Sequence, residues 1–332
     1  MKRIYQLDYL KGISIMLVII THVTIYSTLS STSFIFPYFV NMAVPFFIIV
    51  SGYVYSQSYE KKKLKRLREY YGIKDLIKKV KTIYIPFVMI YILELILTRI
   101  MEDRVVNIKE AIYVFIAGGM GPGSYYIPIL MELIVVIPII YWLVDYNVLQ
   151  GSLIVIVGQM LLEWIIQITN FPQEIYRLLI VRYLVFLLMG VLLYKYREQQ
   201  KNILLFLCMC IGAVYIWKVN YEKYVPYLFQ FWTTTSAPTV LWAGGVVAFF
   251  IKYMPVLPKM IDMIITKVGR STYYIYLIQM VYFQFGFGRY FINPLIHSIL
   301  SIIICISVGL IFEKLLSKSS TYLSGINNSY GR

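Results

Sequence analysis

The residues whose types and spacing could do chemistry begin near the N-terminus, where Asp8 and Lys11 precede His22. Asp8 and Lys11 are three residues apart, so on a helix they share a face and can pair. Eleven residues separate Lys11 from His22, roughly 16 Å of helix or about half of a ~30 Å hydrocarbon core. If Lys11 marks one membrane face, His22 lies near the midplane, where ionisable groups suggest function. An imidazole there can act as a general base or accept a group transiently.

Each of these residues also has a purely structural interpretation. His22 can pack between helices and bond to a backbone carbonyl, although a buried imidazole without a partner is costly in a membrane. Asp8 and Lys11 can form an ion pair that anchors the helix end, or Lys11 can contact an anionic ligand. The second histidine, His297, precedes the last apolar run and is expected to be interfacial.

Basic residues form two clusters in the loop predicted from Gln57 to Lys81, one from Lys61 to Arg68 and one at Lys78, Lys79 and Lys81. Such clusters attract anionic lipid headgroups. They also bind phosphates, including those of a nucleotide-bearing donor such as an acyl-CoA. The residues alone do not separate these two interpretations.

Five polar residues interrupt the apolar runs. Because isolated charges in lipid are costly, these residues indicate either pairing with one another or a hydrated interior. They are Glu94, Glu132, Glu163, Arg182 and Gln279. Glu132 follows the Gly-rich stretch GGMGPGS by about two helical turns and is expected to line an outward-facing cavity. The three cysteines lie in apolar segments and form no cluster with histidine, so no metal site and no tightly bound cofactor are expected.

The elements that must position these residues are membrane helices. Of 332 residues, 60% are hydrophobic and only 14% are charged, whereas soluble domains carry about 25% charged residues. The net charge of +15 does not indicate nucleic-acid binding, because the basic residues cluster in short loops between apolar runs.

The apolar runs predict an all-α, polytopic membrane bundle of about ten transmembrane helices, with a short interfacial helix near 108–117. Most Lys and Arg residues fall on one side of this arrangement, which places both termini inside the cell. The predicted spans are 12–30, 37–57, 82–99, 125–144, 151–169, 178–194, 203–219, 237–252, 271–288 and 294–313.

Several segments together resemble acyltransferase family 3, a family of integral-membrane O-acyltransferases. Asp8, Lys11 and His22 match the family's D-x-x-R/K-x10-H pattern in its first helix. The other segments are VPFFIIVSGYVYS (44–56), KKVKTIYIPF (78–87), SYYIPILMELIVVIPII (124–140) and GRSTYYIYLIQ (269–279). Tyr125 and Tyr126 replace a usual Trp-Phe pair, and Gln279 replaces a common His.

The resemblance implies transfer of an acyl group, most simply acetyl, from cytoplasmic acyl-CoA to a hydroxyl of a cell-envelope carbohydrate or other envelope molecule. It implies an acyltransferase domain over 1–318 and a short cytoplasmic tail over 319–332, in what is expected to be a bacterial cytoplasmic membrane. His22 would be the catalytic residue. The donor would contact Lys11, Lys79 and Lys81, and the weaker candidates for substrate binding are Asp8, Tyr126, Glu132 and Gln279.

The expected partners are acyl-CoA, an envelope glycan or lipid-linked sugar and the lipid bilayer, with a homo-oligomer possible and no nucleic acid. A transporter or flippase for a polar or lipid-linked envelope precursor is the alternative, because it would use the same polar interior with no covalent step. A membrane sensor that binds a small molecule is a third option.

Overall fold

A computed structural model describes residues 4–23, 34–199, 201–227, 229–232, 235–287 and 293–329. In these ranges the protein is all-helical and contains no β-strand. Short π and 3-10 turns and single-turn helices connect the longer helices. The longer helices are α1 (Tyr5–Thr21), α2 (Ala43–Lys62), α3 (Ile73–Met101), α4 (Ile108–Ile116), α5 (Tyr126–Tyr146), α6 (Val148–Ile168), α7 (Leu184–Lys195), α8 (Asn202–Asn220), α9 (Val240–Tyr253), α10 (Lys259–Arg270), α11 (Thr272–Gln284) and α12 (Pro294–Ser329).

Within the described residues, six helical segments are long and apolar enough to cross a membrane. Four of the six are mostly exposed along their apolar stretch; α8, for example, buries only Gly212 and Ile216. A soluble protein rarely exposes such extensive apolar surface, so the chain is a multi-pass membrane protein. The six segments are Phe36–Lys62, Leu67–Met101, Tyr126–Tyr146, Val148–Ile168, Asn202–Asn220 and Leu295–Ser317.

The other four predicted spans correspond to shorter helices, so the count of ten and the orientation of the termini stay predictions. The first span was expected over 12–30, but α1 begins at Tyr5 and ends at Thr21, and residues 24–33 lie outside the described ranges. The sixth, eighth and ninth predicted spans fall on α7, α9 and α11. The interfacial helix expected near 108–117 is present as α4.

The basic region expected as a loop over 57–81 is mostly helical, which corrects that expectation. Helix α2 continues to Lys62, and α3 begins at Ile73, nine residues before its predicted start. Lys and Glu are good helix formers and no proline interrupts this part of the sequence, so the helices extend past the apolar residues. Lys62 pairs with Asp75 between the two helices.

Two apolar clusters form the core of the bundle. One cluster joins α2, α5, α7 and α9, and the other joins α1, α3, α11 and α12. Helices α2 and α7 approach most closely at Gly52 and Gly190, where a β-carbon on Gly52 would lie 3.1 Å from the Gly190 α-carbon. Small residues permit such close helix packing in membranes. Tyr9 of α1 donates a hydrogen bond to Asp262 of α10, which fixes α10 against the start of α1.

Candidate functional site

A cavity of about 670 Å³ is lined by residues of both core clusters. It follows α1 from Lys11 past Ile15 and Val18 to His22, a helix length of roughly 16 Å. We call the part around Lys11, Thr82, Arg270 and Glu313 the Lys11 end. The part around Asn41, Arg182 and Thr235 is the Arg182 end. Tyrosines line much of the wall between them, namely Tyr55, Tyr125, Tyr126, Tyr183, Tyr273, Tyr274 and Tyr276.

His22 lies at the end of α1 rather than inside a longer helix. Its backbone is the C-cap of α1: the His22 amide donates to the Ile19 carbonyl and the next amide, that of Val23, to the Ile20 carbonyl. The β-branched residues Thr21 and Val23 flank it, and β-branched residues weaken helix continuation. The imidazole lines the cavity and packs at 5.7 Å from the Phe283 ring. Among the described residues no hydrogen-bond partner of this imidazole occurs.

The Gly-rich turn before α5 lies beside His22 and is held by three side chains from α3 and α11. Glu94 is fully buried, and its carboxylate accepts hydrogen bonds from the Met120 and Gly121 amides at 3.0 and 3.3 Å. On the other side, Tyr276 donates to the Gly123 carbonyl at 2.7 Å, and Gln279 donates to the Pro122 carbonyl at 3.3 Å. These bonds fix the turn relative to α3 and α11.

Gly123 separates the side chains of His22 and Gln279. A β-carbon built on Gly123 would lie 3.4 Å from His22 Nε2, 3.6 Å from Gln279 Nε2 and 3.7 Å from the Tyr276 ring. Its φ of +87° is in the left-handed region that favours glycine. The Gln279 side chain is fully buried, and its Oε1 has no hydrogen-bond partner in the described part of the chain. The structure thus brings His22 and Gln279 to the same glycine, but of these three residues only His22 and Gly123 line the cavity, and Gln279 is buried behind the turn.

The basic residues that line the Lys11 end are Lys11 and Arg270, whereas the predicted Lys79 and Lys81 are not among the lining residues. Lys79 instead lies 4.5 Å from the centre of the Tyr55 ring, a cation–π contact at the edge of the cavity. Lys81 is exposed. Arg270 was counted from the sequence only as an orientation signal, although it lies in the GRSTYYIYLIQ segment. No spacing in the sequence connects it with Lys11.

A second groove continues from the Lys11 end along α10. It shares Arg270 and Glu313 with the main cavity and is also lined by Lys259 and Lys267. Glu313 accepts a hydrogen bond from Ser271 at 2.5 Å. Asp262 also lines this groove, so the combined opening holds four basic residues, Lys11, Lys259, Lys267 and Arg270, and two acidic ones, Asp262 and Glu313.

Of the weaker candidates, Tyr126 lines the cavity and packs edge-on against Tyr276 at 5.4 Å. Asp8 is not among the lining residues, and its backbone packs against Gly269 of α10. Glu132 was expected to line the cavity, and this expectation is not met. Its carboxylate accepts a 2.5 Å hydrogen bond from the Ile180 amide, so it is directed at the backbone before α7.

The Arg182 end holds a residue that the sequence singled out only as a polar group at depth. Arg182 donates to Thr235 at 2.7 Å, and its guanidinium lies 5.1 Å from the Tyr183 ring centre. The 3-10 turn Ile180–Tyr183 carries Arg182 and leads into α7. The cavity thus has a cationic residue at each end and a histidine between them.

The arrangement suits group transfer between two substrates that enter from opposite ends. Histidine can exchange a proton or a group with both, and the aromatic wall can pack against apolar or sugar surfaces. Among the described residues no group of three or more His, Cys, Asp and Glu converges on a point that could hold a metal ion.

Comparison with known proteins supports this interpretation. A family model described as an acyltransferase domain matches residues 4–314, which is nearly the whole chain. No curated protein and no solved structure matches. The matched range includes His22, the Gly-rich turn and all the residues that line the cavity. The chain therefore belongs to acyltransferase family 3 and is a membrane acyltransferase.

Proposed function

We propose that the protein transfers an acyl group, most simply acetyl, from cytoplasmic acyl-CoA to a hydroxyl of a cell-envelope carbohydrate. The observation that carries this proposal is the continuous cavity from the basic Lys11 end, past His22, to the Arg182 end. In this proposal the protein lies in a bacterial cytoplasmic membrane with both termini on the cytoplasmic side. The Lys11 end of the cavity then opens to the cytoplasm, and the Arg182 end opens to the outside.

The donor's phosphates bind at the Lys11 end, where Lys11 and Arg270 line the cavity and Lys79 and Lys81 add positive charge nearby. Exposed charges of this kind attract an anionic ligand and hold its phosphates. The thioester arm then extends along α1 toward His22, over roughly 16 Å of helix. No tightly bound cofactor takes part, because acyl-CoA is a substrate.

In the first route His22 is a general base. Its Nε2 takes the proton of the acceptor hydroxyl while the hydroxyl oxygen attacks the thioester carbonyl carbon. The carbon–sulfur bond breaks, and the CoA thiolate leaves with the proton that His22 holds. Gln279, on the other side of Gly123, lies outside the cavity lining and supports this route by holding the Gly-rich turn through the Pro122 carbonyl.

In the second route His22 carries the acyl group. Its Nε2 attacks the thioester carbonyl carbon, the carbon–sulfur bond breaks, and the CoA thiolate leaves with the Nδ1 proton of the imidazole. The acceptor hydroxyl oxygen then attacks the acyl carbon, the bond from that carbon to Nε2 breaks, and the hydroxyl proton returns to the imidazole. Both routes need the position beside Gly123 to be open, because Nε2 faces that position. A transporter or flippase would use the same cavity but would never break the thioester.

The test is release of free CoA thiol from acetyl-CoA by membranes that contain the wild-type chain, His22→Ala or His22→Gln, with and without envelope glycan extract. His297→Gln is the matched control, because it changes the other of the two histidines at a position outside the cavity lining. We expect glycan-dependent release by the wild type and the control, and none by either His22 variant.

Equal release by wild type and His22→Ala, with protein levels matched by fluorescence size-exclusion, would refute transfer through His22. Absence of release with any extract and any acyl-CoA length would favour the transporter. Labelled acyl group that stays on the wild-type protein without glycan, and on no His22 variant, would identify the second route.

A further inference from the structure

Arg182 has a positive charge that no carboxylate neutralises within contact distance. All 16 Asp and Glu residues lie in the described ranges, and none places an oxygen within 4.0 Å of this guanidinium. Within the described part of the chain, the guanidinium has one hydrogen-bond acceptor, the Thr235 hydroxyl. An arginine carries five donors in a fixed fork, so most of its hydrogen-bonding capacity remains available.

The surrounding residues hold Arg182 at the cavity wall. Glu132 accepts from the Ile180 amide at the start of the turn. Buried Gln159 donates to the Arg182 carbonyl at 3.4 Å and accepts from the Val185 amide at 2.8 Å. Three backbone groups around Arg182 are thus fixed by side chains from α5 and α6. The charged side chain is therefore positioned by packing and hydrogen bonds.

The nearest acid that influences Arg182 is Glu163, and its oxygens are already engaged. They accept from Gln159 and Tyr176 at 3.0 Å each and from the Trp232 indole at 2.5 Å. Glu163 is buried and is not among the residues that line the cavity. A second cation, Arg177, lies 5.6 Å from the ring centre of cavity-lining Tyr125. Among the described residues that line the Arg182 end, Arg182 is charged and none is acidic.

We propose that the Arg182 end is a binding site for an anionic group, a carboxylate or a phosphate, on the acceptor. A cation without a carboxylate partner in a partly dehydrated cavity is costly unless a ligand supplies the counter-charge. The planar fork of arginine matches the two oxygens of either anion. The assignment of this anion to the acceptor rests on the proposed function, in which the donor occupies the Lys11 end of the cavity and the acceptor occupies the Arg182 end.

The test measures binding and needs no acyl transfer. Purified protein in detergent is titrated with a glucuronate-containing tetrasaccharide and with the same sugar after carboxyl reduction. A glycerol phosphate oligomer and glycerol form the second pair. The variants are Arg182→Gln, which loses the charge, Arg182→Lys, which keeps it, and Lys11→Gln, which removes a cation from the opposite end.

We expect at least one charged probe to bind the wild type at least tenfold more tightly than its neutral partner. The ratio of the affinities for the charged and neutral probes should fall to about one in Arg182→Gln. It should be partly retained in Arg182→Lys and fully retained in Lys11→Gln. The pair that shows the preference identifies a carboxylate or a phosphate as the ligand.

Equal affinity of the wild type for charged and neutral probes in both pairs would overturn the inference, even if Arg182→Gln failed to fold. A preference that survives in Arg182→Gln, or one that disappears in Lys11→Gln instead, would also overturn it. If the wild type prefers the charged probe but shows no glycan-dependent CoA release, the anion-binding site is supported and the proposed acyl transfer is refuted.

Discussion

Gly123→Ala is the sharpest test of the geometry around His22. Glycine is required at this position because φ is +87° and because a β-carbon would lie 3.4 Å from His22 Nε2. The left-handed backbone costs a residue with a β-carbon about 1–2 kcal/mol. Contacts of 3.4 to 3.7 Å with His22, Gln279 and Tyr276 are ordinary van der Waals distances, so the methyl group fits without collision. The variant should therefore fold with a modest loss of stability.

The same methyl group occupies the space in front of Nε2 that a reacting hydroxyl or thioester needs. A displacement of reacting atoms by about 1 Å costs on the order of 100-fold in rate, which is about 2.7 kcal/mol of activation free energy. We expect the turnover number of CoA release to fall by about 100-fold. The loss should far exceed the loss of thermal stability, measured as the temperature of half-inactivation of detergent-solubilised protein.

Gly158→Ala is the matched control. It makes the same chemical change in the middle of α6, where nothing lies within 4 Å of a new β-carbon, and alanine favours helix over glycine. Its activity should equal that of the wild type. Gly123→Ala with turnover within threefold of wild type would refute the conclusion that the reacting groups meet beside Gly123.

Two further predictions concern Glu94, which holds the Gly-rich turn, and Arg270, which is proposed to bind the donor. Glu94→Gln replaces one acceptor for the Met120 and Gly121 amides with a donor, so stability should fall by about 1.5–3 kcal/mol in thermal inactivation, with reduced activity. The control Glu102→Gln, at an exposed position at the end of the same helix, should change neither stability nor activity. A Glu94→Gln protein as stable as the wild type would contradict the role of Glu94 in holding the turn. Arg270→Gln should raise KM for acetyl-CoA about two- to fivefold at unchanged kcat, the effect of one exposed charge. Lys201→Gln, at an exposed site away from the cavity, serves as its control, and an unchanged KM would remove Arg270 from the donor site.

The structure changes which basic residues are best placed for the donor. Lys79 and Lys81 were predicted from their place before Pro86, but α3 presents Lys79 to Tyr55 and leaves Lys81 exposed. Arg270 instead lines both the cavity and the adjoining α10 groove. Lys79 and Lys81 remain donor candidates as part of the basic surface around the opening, and their contribution is expected to be long-range.

The sequence by itself determined the all-helical membrane class of the protein and its family. Apolar run length and the side on which basic residues fall are local properties, so they can be read without a fold. The spacing of Asp8, Lys11 and His22 is also local, because all three lie on or next to one helix. For the same reason His22 could be proposed as the catalytic residue before its surroundings were known, and that role stays a prediction.

Only the tertiary structure decided what lies around His22. Gly123 and Gln279 meet it from positions more than 100 and 250 residues away in the chain, and Glu94 reaches the same turn from α3. These contacts depend on the register and crossing of packed helices, which the pattern of one helix does not encode. The direction of Glu132 toward Ile180 and that of Arg182 into the cavity were likewise set by packing, because a polar residue's position in a span does not specify which neighbour it faces.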